Sequence, residues 1–73
     1  MIEVRLFATL RNNRGKIINL DSAEYATGMQ VLEHFQISRE EVSIFLINGS
    51  HSNPESPIKD GDILAIFPPV GGG

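Results

Sequence analysis

Only one segment of this 73-residue chain has the length and the apolar spacing of a helix. In "TGMQVLEHFQ", Met29, Leu32 and Phe35 recur every three residues. Thr27 and Gln30 stand at the spacing of a capping box, which predicts where the helix begins. A chain of this length forms one domain, and without cysteines its stability must come from packing alone.

Four other segments have the patterns of strands. "IEVRLFATL" alternates apolar and other residues over nine positions, and "KIINLD" follows the turn-rich "RNNRG", so the two predict a hairpin. After the helix, "VSIFLIN" ends at the turn dipeptide Asn48-Gly49. The segment "DILAIFP" is the last predicted strand.

This order of elements predicts an α+β fold of the ubiquitin-like β-grasp type. We expect a mixed four- to five-stranded sheet with one main helix packed across one face. A ferredoxin-like fold would need two full helices, whereas "SREEV", with a second capping box at Ser38 and Glu41, predicts only one short helical turn. The predicted folded domain covers residues 1–67, and residues 68–73 are predicted to form an extended, flexible C-terminal tail.

Composition and charge argue against several classes of function. The net charge is −3 and the six basic residues are scattered, which disfavours nucleic-acid binding. No apolar run approaches the ~20 residues of a membrane helix, and the N-terminus is not typical of a signal peptide, so we predict a cytoplasmic protein, monomeric when free. The sequence contains no arrangement typical of nucleophilic catalysis, so the chain is not predicted to be an enzyme by itself. His34 and His51 lack a second ligand at metal spacing, and no metal site is predicted.

The chain ends in "FPPVGGG", a segment that can neither pack nor hold a shape. Prolines end strand pairing and favour extended backbone, and glycines carry no Cβ that would block a narrow channel. Six extended residues can span about 20 Å, which predicts that the terminal carboxylate is presented to another protein's active site. The alternative is an inert, frayed end. The residues assigned to the tail are Pro68, Pro69, Val70, Gly71, Gly72 and Gly73, with Gly73 as the reacting residue.

Three phenylalanines predict a docking surface on the sheet face away from the helix. From the alternation of their strands we place Phe7, Phe45 and Phe67 together on that face. Contiguous exposed aromatic residues mark an interaction site, but a register shift of one residue would place them in the core instead. A polar rim around them is predicted from Arg5, Arg11 and Lys59.

The sequence resembles the MoaD/ThiS family of sulfur carriers, in particular the small subunit of molybdopterin synthase. The resemblance lies in "DGD", "FPPV", the terminal Gly-Gly and the opening "VRLFATLRN". One departure is Gly71, where the family more often has alanine before Gly-Gly. "DGD" itself is interpreted as a tight turn, because it lacks the spacing of a calcium loop.

The resemblance implies a function for the terminal carboxylate. An adenylating enzyme of the ubiquitin-activating type would use ATP to activate Gly73, and a sulfur donor would then form a thiocarboxylate. The sulfur acceptor would be held by the large subunit of molybdopterin synthase or by another sulfur-accepting synthase. No cofactor is expected to bind the chain itself.

Two other functions stay open at this stage. A ubiquitin-like modifier would join the same Gly73 carboxyl to lysines of other proteins, and a β-grasp interaction domain would carry an inert tail. Among acceptors, "FPPV" favours the molybdenum or tungsten cofactor, while thiazole, cysteine biosynthesis and tRNA thiolation remain alternatives.

Overall fold

A mixed five-stranded sheet with one α-helix on its inner face forms the fold. The computed structural model describes residues 1–69. The sheet order is β2-β1-β5-β3-β4, with β1 parallel to β5 and the other neighbours antiparallel. The elements are β1 (Ile2–Leu6), β2 (Ile17–Leu20), α1 (Gly28–Phe35), β3 (Ile44–Ile47), β4 (Ser50–His51) and β5 (Ile63–Phe67), with 3₁₀ turns at Ala8–Arg11, Ser22–Glu24 and Arg39–Glu41. The predicted β-grasp fold is confirmed.

The first and last strands lie together at the centre of the sheet, and their inner side chains form the core. Val4 is paired with Leu64 and Leu6 with Ile66, and all four are fully buried. The apolar side of α1 covers them. Burying a side chain of this size contributes about 1.5–3 kcal/mol, so this central pair is a large part of the stability of a small domain.

The helix begins as its capping residues predict, and its first residue has to be glycine. The Gln30 amide donates to Thr27 Oγ1 at 3.4 Å, and the Gln30 side chain accepts from the Ala26 amide at 2.5 Å. A Cβ on Gly28 would lie 2.5 Å from Phe45 Cζ and 2.8 Å from the Pro54 carbonyl oxygen. The close approach of α1 to β3 therefore depends on this glycine.

The first strand is shorter than predicted. The alternating pattern suggested a strand up to Leu10, but β1 ends at Leu6 and the chain turns through Ala8–Arg11. Ala8 has a φ of 53°, which takes the backbone out of the extended region. Leu10 is still buried, but it reaches the core from the turn rather than from the strand.

The segment after β3 contains a short strand that the sequence did not suggest. The predicted Asn48-Gly49 turn is confirmed, with φ values of 52° and 84°. It returns the chain along β3 as β4, which pairs His51 with Leu46 at the edge of the sheet. Within the described residues, no helix is both long and apolar enough to cross a membrane.

The division into residues 1–67 and 68–73 stays a prediction. The last strand ends at Phe67, Pro68 is buried and Pro69 is exposed. Val70, Gly71, Gly72 and Gly73 lie outside the described residues.

Candidate functional site

The sheet face opposite the helix, which we call the outer face, carries apolar side chains that the core does not use. Its residues alternate with the buried ones along β1 and β5. Ile17, Ile44 and Ile63 are 56%, 38% and 37% exposed. By strand pairing the outer face comprises Glu3, Arg5, Ile17, Asn19, Ile44, Leu46, His51, Ile63, Ala65 and Phe67.

Phe7 and Phe67 are stacked beside each other at the end of the outer face where β5 leads into the tail. Their ring centroids are 4.1 Å apart and the ring planes differ by 9°. The guanidinium carbon of Arg11 lies 5.3 Å from the centre of the Phe7 ring, and Arg11 Nε donates to the Leu6 carbonyl at 2.7 Å. Both rings are only half-buried, so this stack presents an aromatic surface next to the tail. The predicted face of these two phenylalanines agrees with the structure, and their docking role stays a prediction.

The placement of Phe45 on the outer face was wrong. Phe45 is 4% exposed and belongs to the core, where it lies under Gly28 at the start of α1. In the register of β3 and β5, Phe45 pairs with the buried Ile66, and Ile44 pairs with Phe67. All residues of β3 are therefore on the opposite faces from those predicted, because a shift of one residue exchanges the two faces of a strand.

Because of the same error, Ile44 was not predicted to lie on the outer face. Ile44 lies beside Phe67 there and extends the apolar surface. "IFLI" is apolar at every position, so alternation alone could not tell its two faces apart. One signal was present in the sequence: Gly28 is a poor helix residue, and a glycine in a first turn indicates close approach by a large side chain. Phe45 is that side chain.

The end of β5, which we call the root of the tail, is held by backbone hydrogen bonds from the residues just before β3 and just after β1. The Ser43 amide donates to the Phe67 carbonyl at 2.8 Å, and the Phe7 amide donates to the Ile66 carbonyl at 3.2 Å. Pro68 follows directly and cannot donate to a neighbouring strand. The chain therefore leaves the sheet between the ends of β1 and β3, next to the stacked rings.

The other end of β5 is held by a buried carboxylate. Asp62 is 5% exposed, and its two oxygens accept from Asn48 Nδ2 and from the Lys59 amide, each at 2.9 Å. Asn48 Oδ1 in turn accepts from the Ile63 amide at 2.9 Å. Gly61 has a φ of 88°, so "DGD" is a tight turn, as the sequence indicated.

Asp60 in the same turn is exposed. Its pKa is lowered from the usual 3.8, first by the hydrogen bond from the Met1 amino group, then by the Ser22 hydroxyl and by the charge of that amino group. These contacts join the turn to the start of β1. They give Asp60 a structural role at the surface.

The residues predicted as a polar rim are not brought together. Arg11 lies against the Phe7 ring, Arg5 forms an ion pair with Glu3 at 2.5 Å, and Lys59 precedes the turn at the far end of β5. Among residues 1–69 no group of three His, Cys, Asp or Glu side chains is placed to hold a metal ion. His34 Nδ1 instead lies 2.9 Å from the Tyr25 hydroxyl.

Comparison with known proteins points to one family. The sequence model of the ThiS family matches residues 4–73, which is nearly the whole chain and includes the tail. No curated protein sequence matches the chain significantly.

Several solved structures share the fold. Small archaeal modifier protein 1 of H. volcanii has a TM-score of 0.75 at 23% identity, over 94% of this chain and 97% of that chain. The HVO 2177 protein of Haloferax volcanii has a TM-score of 0.71 at 30% identity, over 99% of this chain and 85% of that chain. A chain in the complex of subunits 1 and 2 of molybdopterin-converting factor from Helicobacter pylori has a TM-score of 0.66 at 23% identity, over 99% of this chain and 97% of that chain.

Proposed function

Because the chain belongs to the ThiS family, we propose that it is a sulfur carrier whose terminal Gly73 becomes a thiocarboxylate. Family membership gives the coarser class, which comprises ThiS/MoaD-like sulfur carriers and ubiquitin-like modifiers. The observation that carries the proposal of a reacting tail is that the family match continues through residue 73, past the end of the last strand at Phe67. A match confined to the folded part would not have involved the tail.

The proposed chemistry starts from a carboxylate, which is a poor electrophile. A terminal carboxyl has an ordinary pKa of about 3.5 and is ionised at neutral pH. In the partner enzyme, an oxygen of the Gly73 carboxylate attacks the α-phosphorus of ATP and expels pyrophosphate. A sulfur donor at the oxidation level of sulfide then attacks the carbonyl carbon and expels AMP, which leaves the thiocarboxylate.

The chain's own contribution to this reaction is presentation. Gly71, Gly72 and Gly73 carry no side chain beside the reacting carbon, and Pro68 and Pro69 favour an extended course. Ordering such a tail in a partner costs free energy that a docking surface has to offset. The stacked rings at the tail root suit that task, because they are apolar, half-buried and adjacent to the point where the tail leaves the sheet. On this proposal the chain is a cosubstrate, not a catalyst, and it binds no cofactor itself.

The sulfur acceptor that we propose is the precursor of molybdopterin. This preference rests on the "FPPV" motif and is supported by the likeness to the molybdopterin-converting factor complex, which at 23% identity is a likeness of fold. A large synthase subunit would then be the second partner, after the adenylating enzyme. A cytoplasmic location, where ATP is available, remains a prediction.

A second candidate function is protein modification. The similarity to small archaeal modifier protein 1 favours it, again as a likeness of fold. Both functions begin with adenylation of Gly73. They differ in the nucleophile that then attacks the activated carbonyl carbon, which is a sulfur donor for a carrier and a lysine amine for a modifier.

Mass spectrometry of the chain from its native host tests the proposal. We expect a mass gain that matches replacement of one oxygen by sulfur, located on Gly73. Gly-Gly remnants on lysines of other proteins, without that mass gain, would instead establish the modifier.

The variant Gly73→Ala tests whether the terminal residue acts only in transfer. We expect it to unfold at the same temperature as the wild type and to lose thiocarboxylate formation, because a methyl group would lie beside the reacting carbon. A fall of several degrees in Tm would mean that the tail is part of the folded structure and would contradict the proposal.

A further inference from the structure

An open pocket of about 500 Å³ lies at the β4 edge of the sheet, where it shares His51 with the outer face. It is formed by segments that are distant in sequence: the 3₁₀ turn before β3, the start of β3, and the chain from β4 onwards. The lining residues on which the inference depends are Arg39, Val42, Ser43, Phe45, His51 and Pro54. We call it the Arg39 pocket.

The Arg39 pocket is next to the root of the tail. Ser43 lines the pocket, and the amide of the same residue donates to the Phe67 carbonyl at 2.8 Å. Two residues later in the chain, Pro69 is exposed. A protein that encloses the tail therefore has to come close to the rim of this pocket.

The lining has a charge of opposite sign to the chain as a whole. Arg39 and His51 are the basic residues among those that line the pocket, and none of the lining residues is acidic, whereas the chain carries a net charge of −3. The Arg39 guanidinium is held by an ion pair with Glu55 and by Asn53 Oδ1 at 2.9 Å. Val42, Phe45 and Pro54 supply apolar walls. This combination suits a carboxylate on a short apolar stem.

We propose that the Arg39 pocket receives an aspartate or glutamate side chain of the adenylating enzyme that activates Gly73. This inference rests on the proposed function, and it adds a second contact of defined charge to the apolar one at the stacked rings. The adenylating enzyme is the partner that the carrier and modifier functions share, so the contact does not depend on the sulfur acceptor. Charged contacts at the rim of an interface mainly set the rate and the selectivity of association.

The test is the KM for the chain in ATP–pyrophosphate exchange by the adenylating enzyme of the native host. Arg39 is half-exposed, and its proposed contact with the enzyme would be made equally in the bound and reacting states, so we expect Arg39→Gln to raise KM about three- to fivefold without changing kcat. The dependence of KM on salt should weaken in the same variant, since screened charges cause it.

Two further variants serve as controls. One removes a positive charge elsewhere on the chain, and the other tests whether the ion pair of Arg39 only positions its loop. Lys16→Gln removes the same charge just before β2, at the opposite edge of the sheet, and should leave KM unchanged. Glu55→Gln breaks the same ion pair but keeps the cation, so KM should fall, because Arg39 is released for the partner's carboxylate.

Each other outcome overturns the inference in a distinct way. If Glu55→Gln raises KM as much as Arg39→Gln does, the ion pair only positions the loop. If Arg39→Gln matches Lys16→Gln while added acetate shifts the amide NMR signals of the pocket, the site takes a small carboxylate rather than the enzyme. If the wild-type chain supports no exchange at all, the proposed function itself fails and the inference with it.

Discussion

The two ends of β5 are built in opposite ways. At its start, the buried Asp62 carboxylate accepts hydrogen bonds from Asn48 and from the Lys59 amide. At its end, Phe67 is half-buried and stacked on Phe7, and the chain continues into Pro68 and the tail. The start of the strand uses its polar groups to hold the fold, and the end leaves part of an apolar surface uncovered.

If the proposed docking role of Phe67 is right, this difference separates stability from docking along a single strand. A buried carboxylate is tolerated only when its hydrogen bonds are made, so the start of β5 cannot change without loss of stability. A half-buried aromatic pair contributes less to the fold and leaves ring surface available to a partner. Substitutions at the two ends should therefore have different consequences.

The largest effect on stability is expected from Asp62→Ala. It removes the acceptor of two part-buried hydrogen bonds, from the Asn48 side chain and from the Lys59 amide, and empties a buried position, which costs roughly 2 kcal/mol. In a domain of this size each kcal/mol lowers Tm by about 4–8 °C, so thermal unfolding should show a fall of roughly 10 °C.

Asp62→Asn is the matched control, because it keeps one accepting oxygen and should lose only part of that stability. If Asp62→Ala unfolds within a degree or two of the wild type, the start of β5 is not held by this carboxylate and the contrast between the two ends disappears.

A smaller effect on stability, with a larger one on docking, is expected from Phe67→Ala. The loss of the stack and of a half-buried ring should cost about 1–2 kcal/mol of unfolding free energy. The KM for the chain in ATP–pyrophosphate exchange should rise about tenfold, as is typical for an aromatic anchor at an interface.

Ile63→Ala provides the comparison at the other end of the strand, since Ile63 lies on the same outer face and is 37% exposed. It should raise KM much less than Phe67→Ala. Equal effects of the two variants on KM would mean that the whole face docks, rather than the end beside the tail.

The smallest effect is expected from Asp60→Asn, and it should depend on pH. Because the folded-state pKa of Asp60 is lowered, its stabilising contribution is present above the ordinary value of 3.8 and is lost as the pH falls through the folded-state pKa. The variant should therefore have a slightly lower Tm than the wild type at neutral pH and the same Tm well below pH 3.8. A Tm difference that grew in acid would contradict this sign.

The sequence predicted the elements better than their faces. Alternation located the buried sides of β1 and β5 correctly, because Val4, Leu6, Leu64 and Ile66 are separated by residues of different character or size. In β3 four apolar residues follow one another, and the side that faces the helix was decided by packing between Phe45 and Gly28, which are 17 positions apart. A pattern read along one strand does not contain that contact.

The parts of the candidate site also differ in how far they can be predicted from the sequence. The face of Phe67 could be predicted because it follows from the alternation of one continuous strand, and the tail that comes after it stays a prediction. The Arg39 pocket and the link between Asn48 and Asp62 could not, because their residues are brought together only by the sheet. Prediction from one sequence is strongest for continuous segments and weakest for sites assembled across strands.

The central position of β5 has a mechanical consequence. The tail follows a strand that has a neighbour on each side, β1 in parallel and β3 in antiparallel pairing. Tension applied at Pro68 along the strand would load the hydrogen bonds to β1 and to β3 together, whereas an edge strand would be held by the bonds to one neighbour alone. Pulling the end of β5 out of the sheet would therefore require two sets of strand hydrogen bonds to fail at once.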